Sequence, residues 1–426
     1  MVQFYDIREV SSESLSINLE NDIVEKPKYD LSMSKGFRVL KNGFWGLFFG
    51  NADDKVGLKL AEKNVVSKGD AEVVNVKSEG KFLFKAKINP KDVDIEEKIN
   101  LLKEIEGVLK SSKIVSTRIA YLENVRKFSY KDSNGSEVYY EVPRIGVIIH
   151  AFAKGETLQF YSKRLLKVGG FEVFNNKPFE LAEEVKDVLN KLVNAKTPPS
   201  GEMNVIMDSS LAGVFIHEAF GHAVEADHVL QNSSVVADRL NTKVADESVN
   251  VYDDPSIQEF GFYSFDDEGV KAEKKAIIEN GILKSFLHSK ETASKLNGKA
   301  GNARAQGVDE PLVRMSNTYI DEGNYTFDEL LENAEIYLIG SRGGETNPAT
   351  GYFHFNAQYG YIVKNGEIAE MIRDVSLSGN TLKILHSIKV GKGVKFDPGF
   401  CGKAGQLVPV ADGAPPSLVK AFVGGA

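Results

Sequence analysis

Residues able to hold a metal ion and move a proton lie close together in Phe215-Ile-His-Glu-Ala-Phe-Gly-His-Ala-Val-Glu-Ala-Asp227, where His217, Glu218 and His222 form the pattern His-Glu-x-x-x-His. The pattern is one residue longer than the His-Glu-x-x-His helix of ordinary zinc proteases. Residues four apart on a regular α-helix differ by about 40° around its axis, whereas residues five apart differ by about 140° and face apart. Two imidazoles on a regular helix could not then share one ion. Two geometries restore convergence: a π-type turn that widens the helix, or a helix that ends so that His222 enters from a turn. Gly221 before the second histidine is expected to ease the distortion.

If both imidazoles bind, one further protein ligand leaves a position open for water, the pattern of a catalytic zinc site. Zinc lowers the pKa of that water toward about 7, and Glu218 is the expected general base, passing the proton to the departing amine. Either histidine could instead be a core residue bonded to a carbonyl. The third ligand decides between these readings. Cys401, the single cysteine of the chain, lies in Phe396-Asp-Pro-Gly-Phe-Cys-Gly-Lys-Ala-Gly-Gln406. A lone cysteine is usually a small buried hydrophobe, but this one sits among glycines, with Lys403 expected to favour its thiolate. His228, His288, His354, His386, Glu225 and Asp227 compete as ligands.

The elements that must position these groups follow from local pattern. Asp208-Ser209-Ser210 supplies helix N-cap candidates, and Leu211, Val214, Phe215, Phe220 and Val224 provide apolar anchors. Asn42-Gly43, Asn134-Gly135 and Asn280-Gly281 mark hairpins, and Pro143 marks a break. Asp94 to Leu109 carries a helical stripe of Ile95, Ile99, Leu102, Ile105 and Leu109, and a second helix starts near Pro178. Of 38 glycines, 13 lie in residues 1 to 200, so the remaining stretch holds most of the turns. Ala195-Lys-Thr-Pro-Pro-Ser-Gly201 reads as a connector between two domains, 1–197 and 201–426. The expected fold is α+β: a mixed α+β N-terminal scaffold, then a glycine-rich, mainly antiparallel β domain carrying one metal-binding helix.

Composition narrows the function classes. The chain has 426 residues, and its formal charge of 52 − 60 = −8 leaves no excess of cations for a nucleic-acid backbone. One cysteine cannot close an internal disulfide, which fits a reducing compartment. No secretory signal is read at the start, and apolar runs such as Ile145 to Ala153 are too short to cross a bilayer as a helix. A cytoplasmic protein with neither nucleic-acid nor membrane partner is expected.

Several further segments occur in a telling order: Phe265-Asp-Asp-Glu-Gly269, Ile277-Ile-Glu-Asn-Gly-Ile-Leu283, Gly301-Asn302, Arg314-Met-Ser-Asn-Thr318, Pro348-Ala-Thr-Gly351, Cys401-Gly-Lys-Ala-Gly-Gln406 and Val423-Gly-Gly425. With the His-Glu-x-x-x-His segment they span nearly all of residues 201 to 426, and the chain resembles the TldD/PmbA family of peptide-processing metalloproteases, in particular its catalytic TldD-type members. Gly36-Phe-Arg-Val-Leu-Lys-Asn-Gly-Phe-Trp-Gly46 is the clearest shared piece of the first half, which starts almost directly on a strand where the family often has a helix.

The resemblance implies one zinc ion per catalytic subunit on His217, His222 and Cys401, with Glu218 catalytic. It also implies unfolded peptides as substrates and a dimer enclosing a peptide cavity, either a homodimer or a heterodimer with a related subunit lacking His-Glu-x-x-x-His. Two other readings are a peptide-binding regulatory subunit without catalysis and a metal amidohydrolase acting on a modified small molecule. Arg314 to Thr318 and Gly343 to Gly351 would either offer backbone to an extended peptide or form turns that close the β domain. Asp266, Asp267 and Glu268 suggest a second metal site or, preferably, a solvated acidic turn. Tyr352 and His354 could polarise a scissile carbonyl if they come within about 3 Å of the oxyanion.

Overall fold

In the computed structural model, which describes residues 1–425, the chain before residue 169 builds one eight-stranded sheet. Its order is Phe44–Phe49, Lys28–Lys41, Val2–Glu20, Ile114–Asp132 and Glu137–Lys154, with Glu79–Leu83 and Leu158–Val168 both pairing the last of these and the short Ile23–Val24 pairing Val2–Glu20. Alternating burial along Val2–Glu20 gives the sheet one covered face. Helices Ile95–Leu109 and Lys177–Leu192 cover it, burying Leu102, Ile105, Leu109, Val185, Leu189 and Leu192 against Ile119, Tyr121, Val147 and Ile149. Asn42 and Gly43 both have positive φ, 54° and 68°, as a type I′ turn requires. Pro143 does not break its strand, contrary to expectation. Its carbonyl accepts from Gly169 N at 3.2 Å just where the neighbouring strand stops, so the missing N–H leaves no gap in a ladder.

The chain after residue 200 forms two large packed sheets, mainly antiparallel, and a two-stranded ribbon of Ala303–Arg304 with Leu312–Val313. Five strands close into a barrel in the order Gly201–Met207, Ser417–Gly425, Val375–Asn380, Tyr352–Lys364 and Ile336–Asn347, the last returning to the first by parallel pairing. A six-stranded sheet lies beside it and ends on the hairpin Gln406–Ala414 and Lys395–Lys403. Asp208 caps the intervening helix, its carboxylate accepting from Leu211 N at 2.8 Å and Gly340 N at 3.0 Å. That helix runs through the shared core, with Phe215 edge-on to Phe353 of the barrel at 5.3 Å.

Asp266, Asp267 and Glu268 are not a solvated turn; they are 1, 4 and 2 % exposed and join the two halves of the chain. Glu268 meets Arg38 at 3.0 Å, and Arg38 also holds Asp6. Arg126 reaches Asp267 at 2.5 Å, while Asp266 accepts from the backbone N–H groups of Glu268, Val270 and Ala303. Buried carboxylates need such partners, because desolvation of an unpaired charge costs several kcal/mol. The same partners fill the positions a second metal would need.

Candidate metal centre

The helix opened by Asp208 is α-helical over Ser209–Val214 and becomes a π-helix over Phe215–Gly221, before a short 3-10 turn His222–Val224. The widened turn brings His217 and His222 to one side, their rings edge-to-face with centroids 5.3 Å apart. Gly221 has ordinary right-handed helical angles, φ −58° and ψ −45°, so conformational freedom is not its role. A Cβ there would lie 2.0 Å from Sδ of the buried Met315, and the glycine is needed for that close approach.

Cys401 reaches the same place from the terminal hairpin. One ligand atom each from His217, His222 and Cys401 lies within 4.8 Å of the others, and Cys401 Sγ is 3.6 Å from His222 Nε2. Glu218 stands beside them, Oε2 3.6 Å from His222 Nε2, with its side chain 40 % exposed. His217 and Cys401, by contrast, are buried. His217, Glu218 and His222, singled out by spacing, therefore meet Cys401, with the carboxylate on the open side.

Each imidazole is held from behind by a carboxylate. His217 Nδ1 lies 2.7 Å from Asp412 Oδ1, an ion-pair contact between two buried atoms that have no hydrogen-bond partner. His222 Nδ1 is 3.0 Å from Glu225 Oε2. Such outer carboxylates fix the ring and direct the other nitrogen at a metal. Glu225 was a candidate ligand by sequence; here it orients His222 and is itself bound by Lys403 at 2.9 Å. Lys403 also meets Asp227 at 2.6 Å, so its charge serves these carboxylates and not the thiolate. That ammonium occupies the space among Glu225, Asp227 and His228 where another cation would sit. Arg314, fully buried, donates to the carbonyls of Cys401 and Gln406 and fixes the hairpin.

Electrostatics in this cluster favour a thiolate. Burial raises the Cys401 pKa, but His217 and then His222 outweigh it and bring the thiol down to about 5. Burial likewise depresses both histidines, yet Asp412 and Cys401 hold His217 well above its ordinary value, and Glu225 and Cys401 bring His222 to about 10. Burial disfavours the Glu225 carboxylate, but His222 and Lys403 prevail and lower it to about 2. The surroundings thus favour positive charge at the imidazoles and negative charge at the sulfur, and a divalent ion would supply that positive charge. Soft sulfur with two imidazoles, each backed by a carboxylate, fits zinc.

The remaining sequence candidates lie elsewhere. His354 and Tyr352 are exposed on the outer side of their strand, while Phe353 between them faces the helix. His386 is exposed, and His288 is buried against Thr292, its pKa pushed down to about 4 by burial and then by Lys275. Arg314 to Thr318 does not offer free backbone: Arg314, Ser316, Asn317 and Thr318 are fully buried, and Asp253 accepts from Ser316 N, Ser316 Oγ and Thr318 Oγ1. Asp412 escaped the sequence reading, although one signal was available. It continues the buried row of Val408 and Val410 in a strand where a carboxylate has no packing reason to be.

Comparison with known proteins now bears on this arrangement. Residues 5–65 match PmbA/TldA metallopeptidase domain 1, residues 88–193 its central domain and residues 200–425 its C-terminal domain. The chain belongs to the PmbA/TldA metallopeptidase family. It is 62% identical over 427 residues to a metalloprotease of Archaeoglobus fulgidus, with all of both chains covered. A zinc metalloprotease TldD homolog of Saccharolobus solfataricus is 34% identical over 424 residues, covering 95% of this chain and 94% of the relative. Among solved structures, a Thermotoga maritima protein described as a modulator of DNA gyrase superposes with a TM-score of 0.83 at 25% identity, covering 99% of this chain and 96% of that one. TldE of Thermococcus kodakarensis, at 18% identity and a TM-score of 0.78 over 99% and 97% of the two chains, shares the fold. As a PmbA/TldA metallopeptidase the chain is similar to named metalloproteases along its whole length. No helix among the described residues is long and apolar enough to cross a membrane.

Proposed function

We propose that this metallopeptidase is a zinc enzyme that hydrolyses unfolded peptides, with His217, His222 and Cys401 holding the ion and Glu218 acting as general base. The observation that carries the reading is the convergence of those three ligand atoms beside a carboxylate that faces solvent. When bound, zinc supplies Lewis-acid polarisation of a peptide carbonyl and activation of water. Glu218 Oε2, on the open side, would accept a proton from the attacking water and return it to the departing amine nitrogen. Asp412 and Glu225 keep Nε2 of each imidazole turned inward, and Arg314 holds the backbone of Cys401 in place. Together these residues supply a rigid binding site and a mobile proton carrier.

The working unit in this reading is a dimer in the cytoplasm, of two copies or with a related subunit that lacks the motif. Tyr29, Leu31 and Met33 support it: they project from one side of Lys28–Lys41 at 63, 66 and 53 % exposure, and the neighbouring strand pairs only from Gly36 onward. An unpaired apolar edge is a surface that proteins cover. The function is tested with Glu218→Gln, which should keep its zinc and lose cleavage of an unfolded peptide. Undiminished turnover would remove Glu218 from the mechanism.

A further inference from the structure

A cavity of about 530 Å³ separates the first sheet from the terminal hairpin, on a different set of side chains from the metal centre. Leu122, Ile145, Leu166, Phe260 and Phe400 make much of its wall apolar, and Ser12, Ser14 and Ser34 add hydroxyls from the first two long strands. Arg126, Arg144 and Arg304 also line it, and their charges are not balanced. Arg126 is paired with Asp267, and the one acidic residue of the wall, Glu123, is matched by Lys98 at 2.8 Å. Arg304, only 5 % exposed, donates to Met315 O at 2.7 Å and lies over the Tyr263 ring at 5.2 Å. Arg144 donates to the carbonyls of Phe260 and Phe262 at 2.9 and 2.6 Å. Among the described residues neither forms an ion pair.

Placing two guanidinium groups in a largely apolar wall with only neutral acceptors is costly, and an entering anion would offset that cost. Burial is the largest influence on both, lowering Arg144 to about 9 and Arg304 below its ordinary value. A guanidinium fork matches the two oxygens of a carboxylate, and the apolar lining selects an anion with a hydrocarbon body over an inorganic one. We propose that this cavity binds a carboxylate carried on an apolar group, with Arg304 and Arg144 as its charge partners. Its ligand touches Phe400 and Val408, the residues preceding and pairing with Cys401, and spans both halves of the chain. Two sources share this chemistry: the carboxyl end of an apolar peptide and a free monocarboxylic acid. The inference needs no peptide hydrolysis, since a chain that cleaves nothing would still bind.

The test is calorimetry on the full, zinc-loaded Glu218→Gln protein, so that nothing is turned over. Three probes suffice: an acetylated apolar tripeptide with a free carboxylate, the same tripeptide as its amide, and 4-phenylbutyrate. The peptide acid, 4-phenylbutyrate or both should bind about tenfold or more tightly than the amide, and Arg304→Met should abolish that preference. Preference for the peptide acid alone assigns the site to a peptide end; binding of 4-phenylbutyrate shows that a free acid suffices. Ser34→Leu, which fills the cavity from the first sheet, should have the same effect and carries the test if Arg304→Met does not fold. Failure of both acids to bind more tightly than the amide overturns the proposal. So does a carboxylate preference that survives these variants, because it then belongs to the metal centre.

Discussion

Asp412→Asn isolates the part of the metal centre that lies behind the ligands. The replacement keeps shape and volume in a buried strand position, so packing is preserved, but it removes the negative charge 2.7 Å from His217 Nδ1. A hydrogen bond to a charged group contributes about 1.5–3 kcal/mol. At about 1.4 kcal/mol per factor of ten, zinc affinity should fall by about 10- to 100-fold, the range typical of outer carboxylates on metal-binding histidines. Competition against a chromophoric chelator at fixed pH measures this directly. The comparison with Glu225→Gln sharpens it. Glu225 holds both His222 and Lys403, so that variant should lower the unfolding midpoint of the metal-free protein further than Asp412→Asn, which loses only the contact to His217. Zinc affinity of Asp412→Asn within about twofold of wild type would refute the claim that Asp412 positions His217.

Gly221→Ala places a methyl group against Met315 Sδ and should cost about 1–3 kcal/mol of stability with loss of zinc, measured by thermal unfolding and metal analysis; rescue by the added mutation Met315→Ala would confirm the contact as the cause. Glu268→Ala breaks a buried ion pair between the halves of the chain and should cost about 3–5 kcal/mol in urea unfolding; a loss below about 1 kcal/mol, the worth of a surface pair, would contradict the buried assignment. The metal-free protein should also lose stability as pH rises. His222 is lifted from 6.5 to about 10 on folding, so its contribution is full below about pH 6.5 and is lost as pH passes through about 10; Cys401, lowered from 9.0 to about 5, acts in the opposite sense up to about pH 9, so the loss is clearest above that. Melting temperatures across that window should fall for stripped protein and stay flatter for zinc-loaded protein, whose imidazoles are neutral; parallel curves would contradict the site's electrostatics.

The candidate residues of the helix were legible in sequence because the signal is local: His217, Glu218 and His222 lie within six positions, and a widened turn was one of the two geometries their spacing allowed and is the one the fold provides. Hairpins at Asn42-Gly43 and Asn280-Gly281 were legible for the same reason, since their backbone angles depend on the two residues themselves. What escaped were features set by partners distant in the chain. Asp266, Asp267 and Glu268 look like a solvated charge run until Arg38 and Arg126 are brought over them. Lys403 was read as the neighbour of Cys401, but the stronger attraction is to Glu225 and Asp227, from the helix side. Gly221 was assigned to backbone freedom, whereas the reason is Met315, which only the packed structure supplies. Barrel closure by a parallel pair between Gly201–Met207 and Ile336–Asn347 leaves no local pattern at all.

The central claim is that His217, His222 and Cys401 together hold one zinc ion. X-ray absorption at the zinc edge, on protein purified with its metal and quantified for zinc content, tests it most directly. The account predicts one zinc per chain with one sulfur and two imidazole nitrogens among its protein ligands, and loss of the sulfur signal in Cys401→Ser. A zinc environment without sulfur, or one unchanged in Cys401→Ser, would contradict it.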